Sequence, residues 1–407
     1  MNRMRSPLRR VTGIIAAAAV GMLALSACAP PSGPGGGDQT PVADLPAKPS
    51  KPVSLNIIDG GGKVAVATAI DAFVKANPDV ISSVSWESTS EGDIAGALKP
   101  QVDSGNLKVD LVITGSSGLA AGMASNLWLP IAKDYSDRLG NMANFIQPAK
   151  DLQALTEGYG VNVVWCYCGP TIEYNPKVVT GDLPKTTDEL LTWASKNPGK
   201  FGYARPANSG VGRTFLLSLP YILGDKDPND PKNGWDKTWD YLEKLGKYID
   251  NYPTSTGQSM ENLANGTWTL MPSSAGWDVG PRARGQVPAS MEGYVLENTT
   301  WVMDPNYALV PRGVSDDKLS ALLLLIDYLI SAEGNASAGS DGQYIPGIVV
   351  DNVDQSKVPA ATKELLATYG RDWFSTEFEK SKYVTPPGQD VVVEALDMWD
   401  RRIGAQG

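Results

Sequence analysis

The chain has 407 residues, with 35 Lys and Arg against 45 Asp and Glu, no histidine, and a formal net charge of −10 at pH 7. The missing histidine removes Ser-His-Asp and Cys-His catalysis, histidine-ligated zinc and the usual proton shuttle. The acidic excess argues against nucleic acid and against a polybasic membrane patch, since both need clustered positive charge.

Arg3, Arg5, Arg9 and Arg10 open the chain with no acid among them, and residues 11–25, VTGIIAAAAVGMLAL, are apolar. That run is shorter than the ~20 residues a membrane-spanning helix needs, so 1–27 reads as a signal peptide. Leu25-Ser26-Ala27-Cys28 follows. The tetrad resembles the bacterial lipobox, in which the cysteine thiol takes diacylglycerol and the chain is cut just before it. The resemblance implies that Cys28 is the lipid-bearing N-terminus and that the mature chain sits on the outer face of the bacterial cytoplasmic membrane. Losing four arginines leaves 31 basic residues against 45 acidic ones.

Residues 28–52 are rich in Pro, Gly and Ser and read as a tether. As a flexible coil they would reach on the order of 25–30 Å. The remainder, roughly 355 residues, is too long for one ordinary core and predicts two lobes.

Val53, Leu55 and Ile57 alternate with polar residues as in a strand, which Asp59-Gly60-Gly61-Gly62 ends. Helical spacing covers 64–76 and stops at Asn77-Pro78. Strands follow at Ile81–Trp86 and Val109–Thr114, with a helical stretch between them. This β-α-β-α-β order calls for a largely parallel sheet covered by helices. Farther on, YGVNVVWCYCGPTIEYN (159–175) is strand-like, and Thr186-Thr187-Asp188-Glu189 fits a capping box opening a helix over 187–196. Phe201–Ala204 reads as a short strand, 212–223 and 235–251 as helices, and Thr267–Met271 as a strand after a short helix. An apolar helix over 318–331 and tail helices near 358–369 and 389–402 complete the reading.

Five segments in order carry a resemblance: Asn162–Asn175; Asn265-Gly266-Thr267 through Trp277-Asp278; Glu292-Gly293 through Trp301 and then Asp304 to Pro311; Leu319–Ile330 with Ser331-Ala332-Glu333; and Gly342-Gln343-Tyr344-Ile345-Pro346. Together they resemble the extracytoplasmic solute-binding proteins of bacterial ABC importers, in the branch of the polyamine, thiamine and iron receptors. Ala332 replaces a usual proline, and the Cys-Tyr-Cys run is an insertion. The resemblance implies a two-lobed α/β fold of the periplasmic-binding-protein type, with lobe 1 at 53–164 plus 302–341 and lobe 2 at 165–301 plus 342–407. It further implies a monomer with no cofactor and no catalysis, which closes on a small polar solute and presents it to permease subunits in the membrane that holds its lipid anchor. A secreted hydrolase with a carboxylate pair, such as a glycosidase, is the competing reading.

Candidate site residues fall at turns and at the segments that line the cleft in that family. Asp59, Gly60 and Gly61 offer close backbone approach or a plain tight turn. Thr114 and Ser116 offer hydroxyls to a ligand or a cap to the next helix. Trp165, Trp277, Trp301 and Tyr344 offer aromatic walls, or else fill cores. Asp278 and Asp304 are the anionic anchors, though Asp304 stands one residue farther from its Trp than the family pattern has it. Arg205, Asn208 and Ser209, with Arg213, offer donors and positive charge, or else form a capped helix with solvated arginines. Cys166 and Cys168 share a strand face near the upper distance for a disulfide; bridge and free thiols both stay open, and neither histidine nor a third cysteine completes a metal site.

Overall fold

The computed structural model describes residues 40–61, 63–179, 181–337, 346–353 and 355–406. The signal peptide, Cys28 and Tyr344 lie outside the described residues, as do the side chains of Cys166 and Cys168 and thus the question of their disulfide.

Alternation in β1 (Val53–Gly60) buries Val53, Leu55 and Ile57 and exposes Ser54 and Asn56. Helix α1 (Lys63–Ala76) lays Val66, Ala69, Ile70 and Phe73 on the sheet. It ends where Asn77 turns its amide back onto the Phe73 carbonyl at 2.9 Å. β2 (Ile81–Ser88), α2 (Ile94–Ser104), β3 (Leu111–Thr114) and α3 (Ser116–Ala124) complete the expected β-α-β-α-β run. Short helices α4 (Ile131–Asp134) and α5 (Gln147–Ala154) lead to the long strand β4 (Gly160–Gly169).

β5 (Thr171–Tyr174), α6 (Thr187–Lys196), α7 (Gly210–Ile222), α8 (Asp236–Gly246), α9 (Thr256–Ala264), β6 (Leu270–Ser273), α10 (Val279–Ala283) and β7 (Glu292–Tyr294) build a second unit. β8 (Thr300–Leu309) then returns to the first, followed by α11 (Asp316–Leu329), α12 (Ala332–Asn335) and β9 (Pro346–Gly347). The tail comprises α13 (Ala360–Tyr369), α14 (Trp373–Lys380), β10 (Lys382–Val384) and α15 (Gln389–Arg402).

The larger sheet runs β2-β1-β3-β8-β4-β9, with β10 also paired to β8; the smaller runs β6-β5-β7. β2, β1 and β3 are parallel, as the βαβ pattern requires. β8 enters antiparallel to both β3 and β4, because it is the return crossing, so the sheet is mixed rather than largely parallel. β4 carries one extra residue relative to β8 at each of two register shifts, between Asn162 and Val164 and between Cys166 and Gly169.

Two main cores sit on either side of this crossing. The first joins Leu55, Ile57, Phe73, Ile113, Trp165, Met303 and Leu322. The second joins Ile172, Phe215, Leu216, Trp239, Val302 and Trp399. Adjacent residues of β8, Val302 and Met303, thus serve different cores. A smaller cluster under the other face of the first sheet holds Ile58, Ile94, Leu98, Val112 and Leu119.

Several expectations need correction. The tether does not extend to 52: Leu45 is buried in the first core, and Ser50 bonds Asp317 through its N–H at 2.7 Å and its hydroxyl at 2.8 Å. Arg138 and Ser320 donate to carbonyls of Pro46 and Ala47. A proline-rich segment keeps its carbonyls free as acceptors, and here they are taken up. Val349 and Val350 belong to the first core, so the whole of 342–407 does not go with the second lobe. Phe201–Ala204 forms no strand beyond a single bridge from Phe201 to Leu270. The capping box is modified: Thr186 Oγ1 accepts from Glu189 N at 3.1 Å, but the Glu189 carboxylate reaches back to Lys185 N at 2.7 Å.

Candidate functional site

A cavity of about 390 Å³ lies between the two units. That is within the usual range for a small-molecule site. Gly60 and Gly61 at the end of β1, Ser88 at the end of β2, and Thr89, Ser90 and Glu91 after it form one wall. Asn208 to Val211 at the start of α7, Ser255 and Thr256 at the start of α9, and Ser274 and Trp277 after β6 form the other. Asp304 and Asn306 of β8 form the floor. The site therefore lies off the carboxyl ends of β1, β2 and β6, where open α/β sheets hold ligands.

The glycines are there because the backbone is crowded or twisted. A Cβ on Gly60 would stand 2.6 Å from Thr114 Oγ1, and Gly61 has φ +103°. Asp59 does not line the cavity. Its Oδ1 accepts from Gly61 N at 2.8 Å and from Lys63 N at 2.9 Å, shaping the turn and capping the start of α1.

Arg213 on α7 holds the two walls together. Its Nη1 donates to Glu91 Oε2 at 2.5 Å and to Ser117 Oγ at 2.7 Å, and its Nη2 to Asp304 Oδ1 at 2.7 Å. The guanidinium side chain is 1% exposed. Burial alone would lower its pKa, but the charges of Glu91 and Asp304 raise it above the ordinary arginine value. Burial pushes the Glu91 carboxyl upward, and the Arg213 charge opposes that shift. Beside this pair, Asn208 Nδ2 donates to Ser90 Oγ at 2.9 Å. The contact is close: a Cβ on Gly92 would lie 3.2 Å from the Ala207 carbonyl oxygen. α15, part of the second core, also packs along α3 of the first unit.

At the second wall, Ser209 Oγ caps α7 by accepting from Gly212 N at 3.2 Å and meets Thr256 Oγ1 at 2.6 Å. Ser255 caps α9 in the same way, accepting from Gln258 N at 3.2 Å. The caps and the lining hydroxyls thus belong to one polar surface.

Of the candidate residues, Gly60, Gly61, Asn208, Ser209, Trp277 and Asp304 come together around the cavity. Thr114 and Ser116 are buried behind it. Trp165 is a core residue whose Nε1 donates to the Ile348 carbonyl at 2.6 Å. Trp301 packs on Phe378 with centroids 4.7 Å apart. Arg205 turns away, pairing with Asp400 at 3.1 Å and with the Gly404 carbonyl. Asp278 is buried in a separate cluster, 2.8 Å from Arg282 and 2.6 Å from Arg371. Sequence reasoning missed Glu91, the Ser88–Ser90 wall, Ser255–Thr256, Ser274 and Asn306. The one available signal was Ser90-Glu91-Gly92-Asp93, a polar turn directly after a strand, where the previous βα turn had already been singled out. Among the described residues, no group of three His, Cys, Asp or Glu side chains could hold a metal ion, and no helix is long and apolar enough to cross a membrane.

Two α/β units joined by crossing strands, with a polar cavity between them, define a two-lobed binding-protein fold. Residues 68–367 match the family described as bacterial extracellular solute-binding protein, and the chain belongs to that family. Solved structures agree in fold. The periplasmic binding protein AfuA from Actinobacillus pleuropneumoniae, with fructose-6-phosphate bound, is 17% identical with a TM-score of 0.63, over 86% of this chain and 98% of that one. A putative spermidine/putrescine ABC transporter protein from Listeria monocytogenes is 13% identical with a TM-score of 0.58, over 86% and 98%. A periplasmic thiamin binding protein is 13% identical with a TM-score of 0.59, over 88% and 99%. A comparison with curated proteins gave no match. These are binding proteins rather than enzymes, and the family places the chain outside the cytoplasm.

Proposed function

We propose that the chain is the solute receptor of an ABC importer, anchored through Cys28 and acting as a monomer that closes on a small polar solute and delivers it to the permease. The cavity carries this reading: its walls come from two separately cored units and meet through Arg213–Glu91 and Asn208–Ser90. On this view lobe 1 is about residues 40–165 with 303–350, lobe 2 is about 169–302 with the tail from 355, and β4 and β8 are the hinge. Gly60, Gly61, Asn208, Ser209, Trp277 and Asp304 contact the solute, with Glu91 and Ser274 beside them.

A hydrolase reading gains nothing from the carboxylates. Both acids at the cavity are engaged by one guanidinium, so neither stands there as a free nucleophile. The test is mass spectrometry of solute released from purified protein, followed by calorimetry with that solute. Stoichiometric binding with the solute recovered intact is the expected result. Conversion of the solute, or no stabilisation by any member of a broad metabolite panel, would overturn the reading.

A further inference from the structure

The cation behind the cavity, Arg213, is already committed within the protein. Among the described residues, Glu91 and Asp304 are the cavity's ionisable lining residues, and Arg213 lies behind them. Each terminal nitrogen of that guanidinium is held by a different carboxylate. The second oxygen of Asp304 faces the start of α7, where a Cβ on Gly210 would lie 2.9 Å from it. A helix N-terminus attracts anions through its free N–H groups, but here a carboxylate already stands in front of it. Two negative groups and one positive group leave the cavity with a net charge of −1. The remaining polar lining is hydroxyl and amide, with the Trp277 indole as the aromatic face.

We propose, resting on the receptor reading above, that this cavity selects solutes of net charge zero or +1. Such a solute presents hydroxyl or ammonium donors to Asp304 and lays an apolar face on Trp277. Phosphate-bearing solutes are excluded. A phosphate monoester would bring close to two further negative charges to a site with no uncommitted cation among its described lining residues, and like charges brought together at a desolvated site are strongly unfavourable. The expected discrimination is about 100-fold or more against the phosphorylated member of a matched pair.

The test is a gain of binding, read by calorimetry on the mature protein with inorganic phosphate and fructose-6-phosphate as probes. Wild type and Asp304→Glu should show no heat of binding at millimolar probe. Asp304→Asn removes the negative charge that faces Arg213 and the start of α7, and should acquire millimolar phosphate binding; Glu91→Gln is an independent second variant with the same expectation. Circular dichroism confirms that each variant is folded. Phosphate binding by wild type, or none by either folded neutral variant, would overturn the proposal. The receptor reading fails separately: in that case no neutral or cationic solute binds wild type, whatever the variants do with phosphate.

Discussion

Glu173 lies at the middle of the small sheet, fully buried, and neither carboxyl oxygen has a well-formed hydrogen bond among the described residues. Burial first, and then the charge of Asp278, push its pKa from 4.5 up to about 8; Ser273, Arg371 and Arg282 pull the other way. The folded protein therefore holds a proton at neutral pH that the unfolded chain has released. Folding stability falls as pH rises from the unfolded value towards the folded one, by about 1.4 kcal/mol per pH unit for one such group. Between 4.5 and pH 7 the gap amounts to at most about 3 kcal/mol. Glu173→Gln keeps the shape and removes the titration. Melting curves of both proteins at pH 5, 6, 7 and 8 should show little difference at pH 5. The variant's advantage should then grow by several degrees towards pH 8, given the 2–4 °C per kcal/mol typical of larger domains. A difference of equal size at every pH would show that Glu173 does not carry a buried proton, and the reasoning would be wrong.

Two further outcomes follow from the cleft and the N-terminus. Gly92→Val puts a branched side chain against the Ala207 carbonyl and should wedge the lobes apart. Solute affinity should drop about tenfold or more and the radius of gyration in solution scattering should rise, while each core is left intact. Cys28→Ala should move the protein from the membrane fraction to the soluble one on detergent phase partition. Its affinity for solute should be unchanged.

The local parts of the fold were legible because they are written in short-range patterns. Alternation gave β1, helical spacing with Asn77-Pro78 gave α1, and the Thr186–Glu189 signature gave the start of α6 to the residue. The tryptophans were not legible. Trp165 and Trp301 are buried in cores while Trp277 faces the cavity, and an indole fits either place because it couples a large apolar body to one donor. Only the tertiary course of β4 and β8 decides between them. Arg213 shows the same limit. It sits on a helix next to two glycines and two hydroxyl residues, which suggested a donor for the ligand, yet its partners are 122 and 91 residues away in sequence. No local spacing announces such pairings. Residues 40–52 failed for a different reason: composition said unfolded, but one leucine and a row of carbonyls were enough to fasten them to the first lobe.

The two register shifts in β4 change what the crossing can do mechanically. Between them, Val164, Trp165 and Cys166 pair with Asn306, Pro305 and Asp304 as an unbroken rung set, and the slips lie on either side. A ladder bends where its rungs are missing. Rotation of one lobe against the other can then be taken up by a few backbone torsions near Val163 and near residues 167–168. On the receptor reading, the central rungs, which carry Asp304, would stay in register throughout. The floor of the cavity would ride as a fixed deck between two moving walls, so probes placed on either wall should report the swing while the polarity of the floor stays constant.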